Sequence, residues 1–198
     1  MNDSLMRFVP PEILSRKSYT PGFQPKKDKD LIKLNTNENP YPPSPRVAAA
    51  LASFATEQLR IYPQHDARLL RHAIAEHHNV SVDSVVITHA GDEALRLAIT
   101  TFVPPNGVVA STEPTYSLYP VLAQIQGASM FTQGLSADWS LPNDFAAEIN
   151  AAGAQLTCVV NPHAPSGYFT AIEQLRILAN DLTGVLLVDE AYADFVDT

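Results

Sequence analysis

From Val80 onward, short apolar runs alternate with longer stretches in which apolar residues recur at helical spacing. Val85-Val86-Ile87-Thr88 predicts a first strand, and residues 92–102, with Leu95, Ala98, Ile99 and Phe102 on one face, predict a helix. Residues 108–111 read as a strand and 116–126 as a helix closed by Gly127. Residues 128–132 are the next strand, and 142–152 a helix stopped at Gly153. Residues 157–160 form a further strand. Thr170 then opens a helix through a capping box with Glu173, its apolar face carried by Ile172, Leu175 and Leu178. The continuous apolar run Val185-Leu186-Leu187-Val188 is the fifth strand, buried on both faces. This β-α-β-α succession predicts an α/β fold, a mainly parallel sheet with helices on both faces.

Upstream the pattern is less regular. Residues 1–30 mix prolines and charges with scattered apolar positions (Leu5, Phe8, Ile13, Leu14) and read as an irregular arm. Leu31-Ile32-Lys33-Leu34 suggests a short strand running into the Asn/Pro-dense loop of residues 35–43. Ser44-Pro45 has the N-cap and first-turn signals of a helix bearing Val47, Ala50, Leu51 and Phe54 on one side. Arg60-Ile61-Tyr62-Pro63 is a loop, and Asp66 caps a helix running to about His78. The expected organisation is an arm over residues 1–33 and part of a large domain over 34–198.

Composition narrows the classes. With 198 residues, 45% hydrophobic and 17% charged, the chain can bury a real core, and its apolar content argues against disorder. A formal net charge of −8 argues against nucleic acid as a partner. No apolar run approaches the roughly 20 residues needed to span a bilayer, and Met1-Asn2-Asp3-Ser4-Leu5 lacks the features of a signal peptide, so a cytoplasmic location is expected. The single cysteine, Cys158, sits in an apolar run and reads as a small buried hydrophobe. His72, His77 and His78 share a predicted helix without H-E-x-x-H spacing and read as solvated surface, so no metal site is expected.

Chemistry gathers where strands end. Asp189 directly follows Val188, at the edge where open α/β sheets bind ligands. Three roles suit it: a solvated strand-end acid, the magnesium acid of a nucleotide hydrolase, or a carboxylate that keeps a pyridine nitrogen protonated. No G-x-x-x-x-G-K-[ST] loop accompanies the second, and no G-x-G-x-x-G marks a dinucleotide site. His89-Ala90-Gly91-Asp92-Glu93 instead places a small-residue turn at a helix N-terminus, where backbone N–H groups receive anions. Pro114-Thr115-Tyr116 and Asn161-Pro162-His163-Ala164-Pro165-Ser166-Gly167 follow other strands. An anion hole, an aromatic face and an acid are what pyridoxal phosphate requires.

Six stretches, in matching order over nearly the whole chain, together resemble the fold-type I pyridoxal-phosphate aminotransferases, and among them the histidinol-phosphate aminotransferase family. They are Leu34-Asn35-Thr36-Asn37-Glu38-Asn39-Pro40-Tyr41, Arg60-Ile61-Tyr62-Pro63, Gly91-Asp92-Glu93, Pro114-Thr115-Tyr116, residues 161–167 and Asp189-Glu190-Ala191-Tyr192. The resemblance implies that Asp189 pairs with the pyridinium nitrogen, Tyr192 with the cofactor's phenolic oxygen, and that Tyr116 stacks on the ring. It implies phosphate contacts from Gly91 and Asp92, and from Tyr62 to a neighbouring subunit, hence a homodimer. Tyr19 and Asn37 would meet the substrate. The implied reaction joins L-histidinol phosphate and 2-oxoglutarate, an amino-acid phosphate and a 2-oxo acid. A threonine-phosphate decarboxylase shares these motifs, and a non-catalytic fragment that binds only ligand or partner is a separate class. Two departures stand out. Ala164 occupies the position of the family's cofactor-binding asparagine, so either Asn161 or a water substitutes, or that contact is lost. No lysine follows Lys33, so the Schiff-base lysine, expected several dozen residues beyond Asp189, is absent, and the chain resembles the first half of such an enzyme.

Overall fold

The computed structural model describes residues 6–16, 19, 22–25 and 31–196. Leu5 and the lysines Lys17, Lys26, Lys27 and Lys29 lie outside the described residues. In chain order the helices are α1 (Pro11–Leu14), α2 (Pro45–Ala52), α3 (Arg68–His78), α4 (Ala90–Phe102), α5 (Leu118–Gln126), α6 (Phe145–Ala151) and α7 (Ile172–Asp181). The strands are β1 (Val108–Glu113), β2 (Ser129–Gly134), β3 (Leu156–Val160) and β4 (Val185–Asp189). By packing, the chain divides into Met1–Tyr19 with Thr88–Thr198, and Thr20–Ile87, so the expected arm contributes to both units.

The larger unit holds a parallel sheet of four strands in the order β2-β1-β3-β4. The chain leaves β1 for β2 on one side, then crosses back to β3 on the other. The switch point therefore lies between the carboxyl ends of β1 and β3. Period-two alternation sorts the strand residues between two cores. Val109, Leu156, Cys158, Val160 and Leu187 pack with Leu95 and Ile99 of α4 and with Leu118, Tyr119 and Leu122 of α5. Ala110, Val159, Leu186 and Val188 pack with Phe145 and Ile149 of α6 and with Leu175 and Leu178 of α7. Asp189, the next residue after Val188, therefore falls on the α4/α5 side. β3 is buried throughout, as expected of a central parallel strand.

β4 differs from expectation. It is only half-buried, because it is an outermost strand with a single neighbour. The first expected strand is missing: residues 85–88 join no sheet, and Val86 is 76% exposed. The Val85 carbonyl accepts instead from Arg71 Nε at 2.9 Å. β-propensity creates no strand without a partner ladder. Other corrections concern helix ends. α4 begins at Ala90 rather than residue 92, α6 only at Phe145, and α5 after Ser117, which leaves Tyr116 in the preceding loop. α7 starts beyond Thr170, with Gln174 Oε1 accepting from the Ala171 N–H at 3.2 Å, so the predicted Thr170–Glu173 box does not form.

In the smaller unit, Ser44 caps α2 by accepting from the Arg46 N–H, with Pro45 at the first position, as expected. Asp66 does not cap α3, which follows Ala67 in the left-handed region at φ 47°; its carboxylate lies 3.6 Å from Arg71 instead. Residues 31–34 form no strand, and Ile32 and Leu34 are exposed. Lys33 pairs with Glu38 at 2.7 Å, which holds that carboxyl below its usual range. No group of histidine, cysteine or acidic side chains suited to a metal is found among the described residues, and none of their helices is long and apolar enough to cross a membrane.

Candidate active site

Asp189 ends β4 opposite Val160, and its carbonyl accepts from the Asn161 N–H at 2.9 Å. Two donors fix its carboxylate. Ala191 N–H reaches Oδ1 at 3.1 Å, and the Tyr119 hydroxyl reaches Oδ2 at 2.8 Å. A carboxylate offers about four acceptor positions, so each oxygen retains one. Tyr119 is fully buried on the sheet side of α5. Burial first, and then the Asp189 charge, push its hydroxyl far above the usual tyrosine range, so it remains a donor. The same two causes push the buried Cys158 thiol up to about 12.

Tyr116 meets Tyr119 edge to face, with ring centroids 5.7 Å apart. Its hydroxyl donates to Asp92 Oδ1 at 3.2 Å and also hydrogen-bonds with Tyr19. Partial burial and these neighbours raise its pKa strongly. Asp92 belongs to the first turn of α4, whose N-cap residue His89 supplies no side-chain cap. Glu93 turns back to accept from the His89 N–H and ring, which lowers its pKa. A Cβ on Gly91 would meet nothing within 4 Å, so the space above this turn is open. A continuous line, Asp92–Tyr116–Tyr119–Asp189, thus joins the helix N-terminus to the strand-end acid.

The loop after β3 is braced rather than loose. Asn161, 2% exposed, donates from Nδ2 to the Thr170 carbonyl at 3.0 Å and accepts the Thr170 N–H at 2.8 Å. Its amide is therefore occupied in closing the loop upon itself. His163 spans the switch point: Nε2 lies 3.0 Å from the Pro114 carbonyl and Nδ1 2.8 Å from Ser166 Oγ. A carbonyl only accepts, so Nε2 carries the proton and Nδ1 accepts from Ser166. Trp139 stacks on that imidazole at 6.1 Å.

The structure therefore gathers Tyr19, Gly91, Asp92, Tyr116, Asn161 and Asp189 within one unit, with Tyr192 half-buried three residues beyond the acid. Tyr62, 98% exposed, and Asn37, in the left-handed region at φ 50°, belong to the other unit. Sequence reasoning missed Tyr119, His163 and Trp139. For Tyr119 a signal existed: it follows Tyr116 by three residues, one helical step, and lies among apolar residues.

The sequence matches the family model for aminotransferase class I and II over residues 29–198. The chain belongs to this family. Its enzymes depend on pyridoxal phosphate. Among curated class I and II aminotransferases, the histidinol-phosphate aminotransferase of Clostridium botulinum strain Kyoto is 40% identical over 179 residues, covering 89% of this chain and 49% of the relative. Histidinol-phosphate aminotransferase 1 of Trichormus variabilis is 39% identical over 180 residues, covering 91% and 51%. The chain thus spans about half the length of the curated relatives it matches. Among solved aminotransferases, a putative histidinol-phosphate aminotransferase from Erwinia carotovora atroseptica superposes with TM-score 0.75 at 27% identity, over 83% of this chain and 48% of that one. The Sinorhizobium meliloti histidinol-phosphate aminotransferase in complex with pyridoxal-5'-phosphate gives TM-score 0.76 at 23% identity, over 82% and 44%, a likeness of fold.

Proposed function

We propose that this chain is the cofactor-gripping half of a pyridoxal-phosphate-dependent histidinol-phosphate aminotransferase. It would transfer the amino group of L-histidinol phosphate to 2-oxoglutarate, giving imidazole acetol phosphate and L-glutamate. The observation that carries the cofactor half of this reading is the Asp92–Tyr116–Tyr119–Asp189 line. It sets an anion-binding helix end and a carboxylate with spare acceptor positions at the two ends of an aromatic platform. The substrate half rests on the two curated relatives at 39–40% identity.

These residues fit the cofactor. The uncapped first turn of α4 offers the Gly91 and Asp92 N–H groups to a phosphate, with open space above Gly91. The Asp92 carboxylate is engaged by Tyr116 and would take no part in that contact. Tyr116 would lie against the ring, Asp189 would hold a proton on the ring nitrogen, and Tyr192 would donate to the phenolic oxygen. Asn161, its amide closed on Thr170, supports the loop that stands where the family places a cofactor contact. When bound, the protonated ring supplies an electron sink for the pair released as the substrate's α-proton leaves. A lysine would carry that proton, and the lysines of this chain end at Lys33. Tyr19, beside Tyr116, would meet the amino-acid phosphate; the family likeness gives Asn37 a substrate role of its own, and Tyr62 a role at the phosphate of a second subunit in a homodimer.

The test is an assay of the full-length protein with L-histidinol phosphate and 2-oxoglutarate, following glutamate formation. Glutamate is the expected product. Release of carbon dioxide from threonine phosphate, with no amino transfer, would replace this reading with a decarboxylase.

A further inference from the structure

Among the described residues, Tyr119 is the buried side chain that hydrogen-bonds Asp189, and core packing alone leaves its hydroxyl unexplained. A phenylalanine would fill the same space among Leu95, Leu122 and Cys158 without a polar group to desolvate. The hydroxyl is buried all the same and donates to Oδ2 at 2.8 Å from the first turn of α5. The Ala191 N–H donates to the other oxygen, Oδ1, at 3.1 Å. Two donors on separate elements therefore define the carboxylate plane. The ring of Tyr119 also buttresses Tyr116, edge to face at 5.7 Å. One residue thus touches both the acid and the aromatic platform.

We propose that Tyr119 is a positioning residue of this site, whose hydroxyl orients the Asp189 carboxylate toward a pyridine nitrogen and keeps the shared proton on that nitrogen. The proposal rests on the reading of Asp189 given above. A carboxylate that already accepts a strong hydrogen bond has its charge partly dispersed, so it leaves the proton on its heterocyclic partner more completely. Fixing its rotamer also removes an ordering cost when the heterocycle binds. The phenol is suited to this because burial and the neighbouring charge keep it protonated through the neutral range. The Tyr116 contact depends on the ring alone. Tyr119→Phe therefore deletes the donor and leaves the platform standing.

The experiment loads full-length protein with pyridoxal phosphate carrying a 15N-labelled ring nitrogen, and compares wild type, Tyr119→Phe, Asp189→Ala and the double variant. Two quantities are read: the ring 15N chemical shift and the cofactor dissociation constant. Tyr119→Phe should move the 15N resonance toward the unprotonated position and weaken cofactor binding about tenfold, the effect of one hydrogen bond to a charged group. In the Asp189→Ala background it should change neither. Equal effects in both backgrounds, or no 15N movement in the single variant, would overturn the proposal and leave Tyr119 a packing residue. If Asp189→Ala itself leaves the resonance and affinity unaltered, the reading beneath it falls too, and the two failures are thereby distinguished. Should Tyr119→Phe not fold, 3-fluorotyrosine at position 119 gives a stronger donor of the same shape. It should move the resonance the other way, and an unmoved resonance would overturn the proposal.

Discussion

Asn161→Ala should destabilise the protein rather than merely strip it of a ligand contact. The native amide satisfies both the N–H and the carbonyl of Thr170, at 2.8 and 3.0 Å. Asn161 is 2% and Thr170 6% exposed, so water cannot replace these bonds in the folded state. Leaving a buried polar group without a partner costs about 1–3 kcal/mol, and here two are orphaned by one substitution. The expected loss is about 2–5 kcal/mol, a large share of the stability of an ordinary domain. The sole tryptophan of the chain, Trp139, stacks on His163 two residues away, so it reports on the loop directly. Urea unfolding followed by tryptophan fluorescence, fitted with a common m-value, gives the difference. A loss below about 1 kcal/mol with an unchanged emission spectrum would refute the clamp. Such a result, with a fall in cofactor affinity, would make Asn161 a cofactor contact first.

Other expectations follow from the same geometry. Asp189→Ala in the full-length protein should lower turnover by orders of magnitude and, by leaving the buried Tyr119 hydroxyl without its acceptor, should cost about 1–3 kcal/mol of stability; full activity would sink the assignment. Gly184→Ala should cost about 1–3 kcal/mol in the same urea assay, since a Cβ there would strike the Ala154 carbonyl oxygen and lie 2.8 Å from that of Gln155. Gly91→Ala should be neutral or stabilising by up to about 1 kcal/mol in the same urea assay, since its surroundings are open. Cys158, its thiol pushed from 9.0 up to about 12, should resist alkylation at pH 8 until the chain unfolds. Its contribution to stability should fall as pH rises from about 9 towards about 12, because the unfolded thiol ionises there first.

The larger unit was legible because its signals are redundant. β1, β3 and β4 carry apolar runs with glycine shortly before them, and α4 to α7 repeat apolar residues at helical spacing, so period and punctuation agree. Residues 85–88 carry the same local signal as β3 yet form no strand, because a ladder partner is a property of the fold and not of the run. The helix starts slipped for a related reason. Thr170 has a capping side chain, but its backbone is claimed by Asn161, nine residues away, and the cap moves on to Ala171 and Gln174.

Within the site, Asp189, Tyr116 and Gly91 could be named because each sits at a strand end or helix start, where position along the chain fixes position in space. Tyr119 could not be singled out in that way. Its importance depends on two parities coinciding. Helical spacing turns it, with Leu118 and Leu122, onto the sheet, and the alternation of β4 turns Asp189 to the same side as Leu187. Either parity can be read from sequence, but which helix covers which face requires the strand order. With β2 and β4 on opposite sides of the β1–β3 pair, the chain crosses behind β1, and α5 is left over the face to which Asp189 points. The contact that orders the acid is therefore a consequence of topology. It would vanish if β4 slipped by one residue, since every side chain of that strand would exchange faces.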